Sequence, residues 1–229
     1  MTSLQKWGKS VRTTIPVMAG YLVLGAGFGI LLRTRGYGLG WALAMSAFIY
    51  AGSMQYVAID LLTGGASLLT TAVTTLLVNA RHLFYGISML ERYRAAGRYA
   101  PYLIFSLTEE TYSLVAARED LTGAECFRIS LLDQLYWVLG TALGSLAGAY
   151  LDFNTTGIDF SLTALFLTVF TEQWLETKDH APALIGLGVS IVCRLLFGAD
   201  SFLLPTMGGM LCCLLVLDAR RTKKGGESV

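Results

Sequence analysis

Asn79-Ala80-Arg81-His82 places a carboxamide, a guanidinium and an imidazole near the end of the apolar run 66–90. Moving a guanidinium from water into hydrocarbon costs at least about 2.5–3.5 kcal/mol. Arg81 therefore needs a partner, a polar ligand or a water-filled cavity. It could receive the carboxylate of a substrate, or pair with an acid that moves. The plainer alternatives are a fixed ion pair, or a side chain that snorkels to the interface. An unperturbed imidazole titrates near neutral pH, so His82 could carry a proton, although a lone histidine is more often a hydrogen-bonded packing residue. Successive helix positions diverge by about 100°, so Asn79, Arg81 and His82 do not share one face.

Glu109 and Glu110 are the natural counter-charges. They lie at the middle of residues 99–117, with Thr108 and Tyr112 four apart, a spacing that puts two hydroxyls on one face if the segment is helical. A carboxylate at a cavity could hold an ammonium group or take up a proton; the alternative is a solvated interfacial helix. Gln55, beside Gly52 and Ser53, sits well inside another apolar run, where an amide bridges helices or reads a polar ligand.

The elements that must position these groups follow from composition. The chain has 229 residues, 54% hydrophobic and 14% charged, against roughly 25% charged in soluble domains. Apolar windows recur at 15–32, 41–63, 66–90, 129–150, 160–175, 181–198 and 202–217, several near the roughly 20 residues that a bilayer-spanning helix needs. No polar block is long enough for a soluble domain. The expectation is one all-α polytopic membrane domain over 1–229. A net charge of +1, with its cations in loops, offers nothing to nucleic acid. Cys126, Cys193, Cys212 and Cys213 form no CxxC pair and read as inert thiols. Lys6, Lys9 and Arg12 before an apolar run resemble a signal peptide, but the run is glycine-rich, lacks a clear cleavage site and opens a series of spans.

The span count turns on residues 99–117. If they cross, eight spans leave both ends inside, with ten of the fifteen loop cations. If they do not, seven spans put the N-terminus outside and twelve cations inside. The latter split favours seven spans and a cytoplasmic C-terminus, although Lys6, Lys9 and Arg12 then lie on the wrong side. Under both schemes the loop with Asp152 and Asp159 is outside.

Three blocks recur in order. Tyr21–Gly29 aligns with Tyr136–Gly144, Phe48–Gln55 with Phe166–Gln173, and Val78–Phe84 with Ile191–Phe197. Gln55 thereby acquires the counterpart Gln173, next to Glu172, and Arg81 the counterpart Arg194. The expected division is a repeat unit over about 15–90, a linker over about 91–128, a second unit over about 129–198 and a final helix over about 202–217. Seven spans make the units inverted and eight make them parallel; an inverted pair is expected to hold its substrate at the midplane. Gly25, Gly27 and Gly29, and Gly140, Gly144 and Gly148, read mainly as close-packing helix faces. The alternative is a broken helix whose freed amides face a ligand.

Catalytic motifs are missing. Gly8-Lys9-Ser10 looks like the end of a phosphate-binding loop, but Ser3 stands where its first glycine belongs. There is no HExxH and no GxSxG, and ATP hydrolysis is not encoded. No cofactor and no metal site are expected, nor an enzyme.

Ala51-Gly52-Ser53-Met54-Gln55, Leu77–Leu83 and Leu107-Thr108-Glu109-Glu110-Thr111-Tyr112 resemble the AzlC-type branched-chain amino-acid permeases. Ile15–Tyr21 and Trp137–Thr141 agree, so the resemblance covers nearly the whole chain. Glu109-Glu110 departs from the Asp-Glu usual in the family, adding a methylene at 109. The resemblance implies a bacterial inner-membrane exporter of branched-chain or related amino acids, working with a small AzlD-type membrane subunit and no ATPase. With no nucleotide-binding domain encoded, the expectation is a secondary carrier with alternating access, in which Arg81, Gln55, Asn79, Thr108, Glu109, Glu110 and Tyr112 face substrate. His82 or Glu109 would couple protons. A channel or a non-transporting subunit of a membrane complex is the alternative.

Overall fold

A computed structural model of the chain describes residues 3–116, 118, 120–150, 160, 163, 167, 170–171, 174–175 and 179–225. The described residues are helical, with no strand among them. The chain divides into two compact units, residues 1–163 and 164–229.

The first unit is organised by two long helices, α1 (Ser3–Thr34) and α8 (Gly123–Tyr150). α1 starts twelve residues before its apolar run, so Lys6, Lys9 and Arg12 sit on a helix rather than in a tail. Pro16 removes one amide within α1; nearby, the Thr13 and Thr14 hydroxyls donate to the carbonyls of Lys9 and Ser10. α8 begins at a reciprocal cap. Glu125 N–H donates to Thr122 Oγ1, and Thr122 N–H donates to Glu125 Oε2, the pattern that satisfies two first-turn donors at once.

Glycines set how close these two helices lie. A Cβ on Gly140 would sit 2.7 Å from Leu22 O and one on Gly25 2.8 Å from Trp137 O; Gly29 and Gly144 are tighter still, against Thr141 and Ala26. The small-residue faces read from the sequence are thus a packing seam. Its partners rise together along both helices: Lys9 with Glu125, Thr14 with Tyr136, Gly25 with Thr141, Gly148 with Ile30. α1 and α8 are therefore parallel. The aligned blocks Tyr21–Gly29 and Tyr136–Gly144 lie side by side in one direction, which does not fit an inverted relation between them.

Between them run α2 (Leu39–Phe48), α3 (Gly52–Thr63), α4 (Leu68–Val78), α5 (Arg81–Ala95), a 3-10 turn at Gly97–Tyr99, α6 (Ala100–Phe105) and α7 (Glu109–Ala116). The window 41–63, expected as one span, is a helical hairpin. Its tip holds Tyr50 at φ 42° and Ala51 in a non-helical conformation at φ −135°, ψ 89°. The chain then turns back, so that Gln55 bonds Ser46 and Tyr56 reaches Leu24 O near the Phe28 ring. Residues 99–116 form a second hairpin. Tyr102 lies by Phe127 near the start of α8, and Phe105 near the Tyr50 ring at 6.5 Å. α7 returns toward the start of α8, where Arg92 donates to Val115 O. The two hairpins enter from opposite ends of the α1–α8 pair and meet at their tips. α4 and α5 form one broken rod interrupted at Asn79-Ala80.

In the second unit, α9 (Ala181–Ser201) and α10 (Leu203–Gly225) pack on each other, with Gly209 against Val189. Gly198, at φ 73°, breaks the end of α9. Gln5–Thr34 and Ala181–Gly198 are long and apolar enough to cross a bilayer unaided. Phe48, Leu68, Leu69, Ile87 and Leu195 are each more than two-thirds exposed, a surface that suits hydrocarbon better than water. Cys126 and Cys193 are buried and all four thiols are free. Glu172, Gln173, Asp152 and Asp159 lie outside the described residues.

Candidate functional site

Three helix breaks bring the polar residues together. α3, α5 and α7 each begin in the middle of the first unit, at Gly52, Arg81 and Glu109. First-turn amides of a helix have no partner within it, and their aligned dipoles favour negative charge. Neither the first hairpin tip nor the α4–α5 rod continues as helix through its break, because Tyr50 occupies the left-handed region and Asn79 ends α4.

Arg81 joins all three breaks. One guanidinium nitrogen pairs with Glu109 Oε2, and Nη2 donates to Ser53 Oγ at 2.7 Å. Both charged side chains keep some contact with the surroundings, at 34% and 25% exposure. The pair is thus neither sealed in the core nor free on the surface. A cation at the start of α5 is opposed by that helix's own dipole; Glu109, at the favourable end of α7, offsets it. Asn79 contributes backbone, its carbonyl accepting from His82 N–H at 2.9 Å with His82 Nδ1 3.3 Å away. The His82 ring meets Tyr85 edge-on, and Tyr85 stacks on Tyr112 with centroids 4.9 Å apart.

Glu110 faces the other way. Tyr21 of α1 donates to Glu110 Oε2 at 2.7 Å, and its oxygen is also 2.7 Å from Thr108 Oγ1. Thr108 caps α7 and donates to Thr111, 3.1 Å away, which donates to Asp133 Oδ2 of α8 at 2.8 Å. Asp133 is fully buried. Thr108 and Tyr112 do not present paired hydroxyls: Thr108 is in this chain, whereas Tyr112 OH accepts from Ser88.

Gln55 is engaged at both ends of its amide. Its amide donates to Ser46 Oγ at 3.0 Å, its carbonyl oxygen accepts from Trp137 Nε1 at 2.9 Å, and Ser46 donates to Thr141 at 2.9 Å. This is the helix-bridging option. Arg194 lies over the Phe202 ring at 5.3 Å within the second unit; Gln173 is outside the described residues. Sequence reasoning missed Tyr21, Ser53 as a ligand of Arg81, Thr111 and Asp133. Asp133 carried a usable signal, an acid four residues into the apolar window 129–150.

A family model described as AzlC protein matches residues 16–151. A Bacillus subtilis protein named branched-chain amino acid transport protein AzlC is 45% identical over 209 residues, covering 89% of this chain and 82% of the relative. An uncharacterized membrane protein of Haemophilus influenzae is 41% identical, covering 92% and 87%. The inner membrane protein YgaZ of Escherichia coli is 26% identical, covering 90% and 87%. No solved structure matches. The chain belongs to the AzlC family of membrane proteins, among whose members is a branched-chain amino acid transport protein.

Proposed function

We propose that this AzlC-family protein is a secondary carrier that exports branched-chain or related amino acids across the bacterial inner membrane by alternating access, together with a small AzlD-type membrane subunit. The observation that carries this reading is the Arg81–Glu109 pair at the meeting point of three helix breaks. A zwitterion bears the same two charges as the pair. Inserted between them, its carboxylate takes Arg81 and its ammonium takes Glu109, so that one internal ion pair is exchanged for two with substrate. Charge is conserved, and the dehydration of the ligand is offset by charge-assisted hydrogen bonds. Ser53 and the amides at the start of α3 then complete the carboxylate site, as half-helix N-termini do in other carriers.

Within this scheme Tyr85, His82 and Tyr112 form the wall beside the pair, while Gln55 acts by holding α2, α3 and α8 together. Opposed hairpins also offer an alternating-access mechanism, since each tip closes the site from one end. The first unit then contributes three crossings, α1, the α4–α5 rod and α8, with residues 99–117 not crossing. The N-terminus lies on the inside, which places Lys6, Lys9 and Arg12 as the positive-inside rule prefers.

Counterflow of labelled leucine and valine in proteoliposomes tests the reading, with and without the small subunit. Saturable counterflow is the expected result. Flux that does not saturate and shows no counterflow would make the protein a channel.

A further inference from the structure

We infer that Glu110 and Asp133 share one proton through a wire of three hydroxyls, and that shifting this proton along the wire couples transport to the proton gradient. The inference rests on the carrier reading for its role in transport, but the shared proton itself follows from counting hydrogens.

Five oxygens lie in a row: Glu110 Oε2, Tyr21 Oη, Thr108 Oγ1, Thr111 Oγ1 and Asp133 Oδ2. The four gaps between them are 2.7, 2.7, 3.1 and 2.8 Å. At such distances each gap needs a hydrogen, because two oxygens without one repel. Tyr21, Thr108 and Thr111 supply three hydrogens for four gaps. With Tyr21 donating to Glu110 and Thr108 to Thr111, nothing is left for the contact between Tyr21 and Thr108. The fourth hydrogen comes from a carboxyl group at one end of the row.

The burial of Asp133 supports the same conclusion. Its side chain is wholly enclosed, Oδ1 has no hydrogen-bond partner, and no lysine or arginine among the described residues pairs with it. An ionised carboxylate in that setting would cost several kcal/mol. The ionisable groups facing it are Glu110 on α7, Tyr50 at the first hairpin tip and Tyr102 on α6. Facing Glu110 are Tyr21 on α1, Tyr50, and His82 and Tyr85 on α5. Glu109, paired with Arg81, is its neighbour in sequence.

Two hydrogen arrangements satisfy the row. With the proton on Glu110, every hydroxyl donates toward Asp133; with the proton on Asp133, every hydroxyl donates toward Glu110. In both, each hydroxyl donates once and accepts once along the row, with Thr108 also accepting from Thr111 N–H. Passing between them breaks one O–H bond and makes one at each step, so a proton leaves Glu110 and one appears on Asp133 with no net change in the hydroxyls. The effect is to switch a negative charge on or off at Glu110, next to the Arg81–Glu109 pair. The row crosses from α7 to α1, back to α7 and on to α8, so any movement of the second hairpin against the α1–α8 pair breaks it.

The test has two readouts on the full-length chain in lipid vesicles. Infrared spectroscopy at neutral pH is expected to show the carbonyl stretch of an un-ionised carboxyl group. Asp133→Asn is expected to abolish it, because the amide then supplies the fourth hydrogen. In the second readout, leucine flux driven by a pH gradient is divided by leucine counterflow of the same variant. This ratio is expected to fall roughly tenfold or more in Thr111→Val and to recover in Thr111→Ser, which restores the hydroxyl. Folded wild-type protein without the carboxyl band, or a band untouched by Asp133→Asn, overturns the shared proton. A flux ratio unchanged in Thr111→Val overturns its role in coupling. Absence of any amino-acid counterflow in the wild type counts against the carrier reading, whereas the band decides the shared proton independently.

Discussion

Two polar clusters lie close together in the first unit, and they differ in completeness. Around Gln55, four buried side chains from α2, α3 and α8 close on one another, with the amide engaged at both ends. Around Arg81 the groups are charged, about a quarter to a third exposed, and gathered at helix breaks. The chain of hydroxyls behind them is short of one hydrogen. A satisfied network holds an architecture in one state. An ion pair at three breaks, with partners that a ligand can replace, is suited to changing state. The difference separates residues that fix the fold from residues that act, although both kinds are polar and both lie in apolar sequence.

The comparison breaks first at Arg81. Arg81→Ala leaves Glu109 without its guanidinium partner and is expected to lower leucine counterflow roughly a hundredfold or more, with membrane abundance close to wild type. Counterflow within a factor of a few of wild type would move the substrate site elsewhere. Gly144→Leu should act through folding. Its side chain has no room against Ala26, and overpacking of this kind costs about 1–3 kcal/mol or more, read as lost thermal stability in detergent. Gln55→Leu sharpens the contrast: it leaves Trp137 Nε1 without its acceptor and Ser46 with Thr141 alone, and is expected to destabilise by about 1–3 kcal/mol, while the apparent KM of the surviving protein stays nearly unchanged. A large rise in KM would put Gln55 among the ligand-reading groups.

The smallest effect concerns the start of α8. Hydrogen bonds from Thr122, with lesser help from Lys9 and Arg128, hold the Glu125 carboxyl below its ordinary range. A carboxyl held low in the folded state stabilises it above the unfolded pKa, and that contribution disappears as pH falls through the folded value. Glu125→Gln keeps the cap but not the charge. The stability difference between wild type and variant is expected at neutral pH and should vanish in acid.

Much of this was legible in the sequence, and the reasons for the rest are physical. Composition gave the all-α membrane class, and the cost of a guanidinium in hydrocarbon singled out Arg81. The sequence offers Glu109 and Glu110 together as counter-charges; the structure separates them, giving Glu109 to Arg81 and Glu110 to Tyr21. The glycine series gave the α1–α8 seam, but not its parallel sense, because hydropathy has no direction. The hairpin at 41–63 was hidden for a related reason: a mostly apolar window of twenty-three residues fits a span, and only the backbone at Tyr50 and Ala51 turns it back. The break between α6 and α7 was hidden too, because residues 99–117 read as one moderately apolar segment and only the backbone between Phe105 and Glu109 divides it. Asp133 escaped notice because it stands alone in an apolar run, and its partners Thr111 and Tyr21 come from distant parts of the chain.

The central claim is that a zwitterion replaces Arg81 and Glu109 as each other's partner. Calorimetric binding to the purified chain tests it most directly, comparing leucine with the matching acid that lacks the ammonium and the matching amine that lacks the carboxylate. Leucine is expected to bind at least about tenfold more tightly than either, and Glu109→Gln should erase the preference over the acid. Equal binding of all three, or a preference that survives Glu109→Gln, would contradict it.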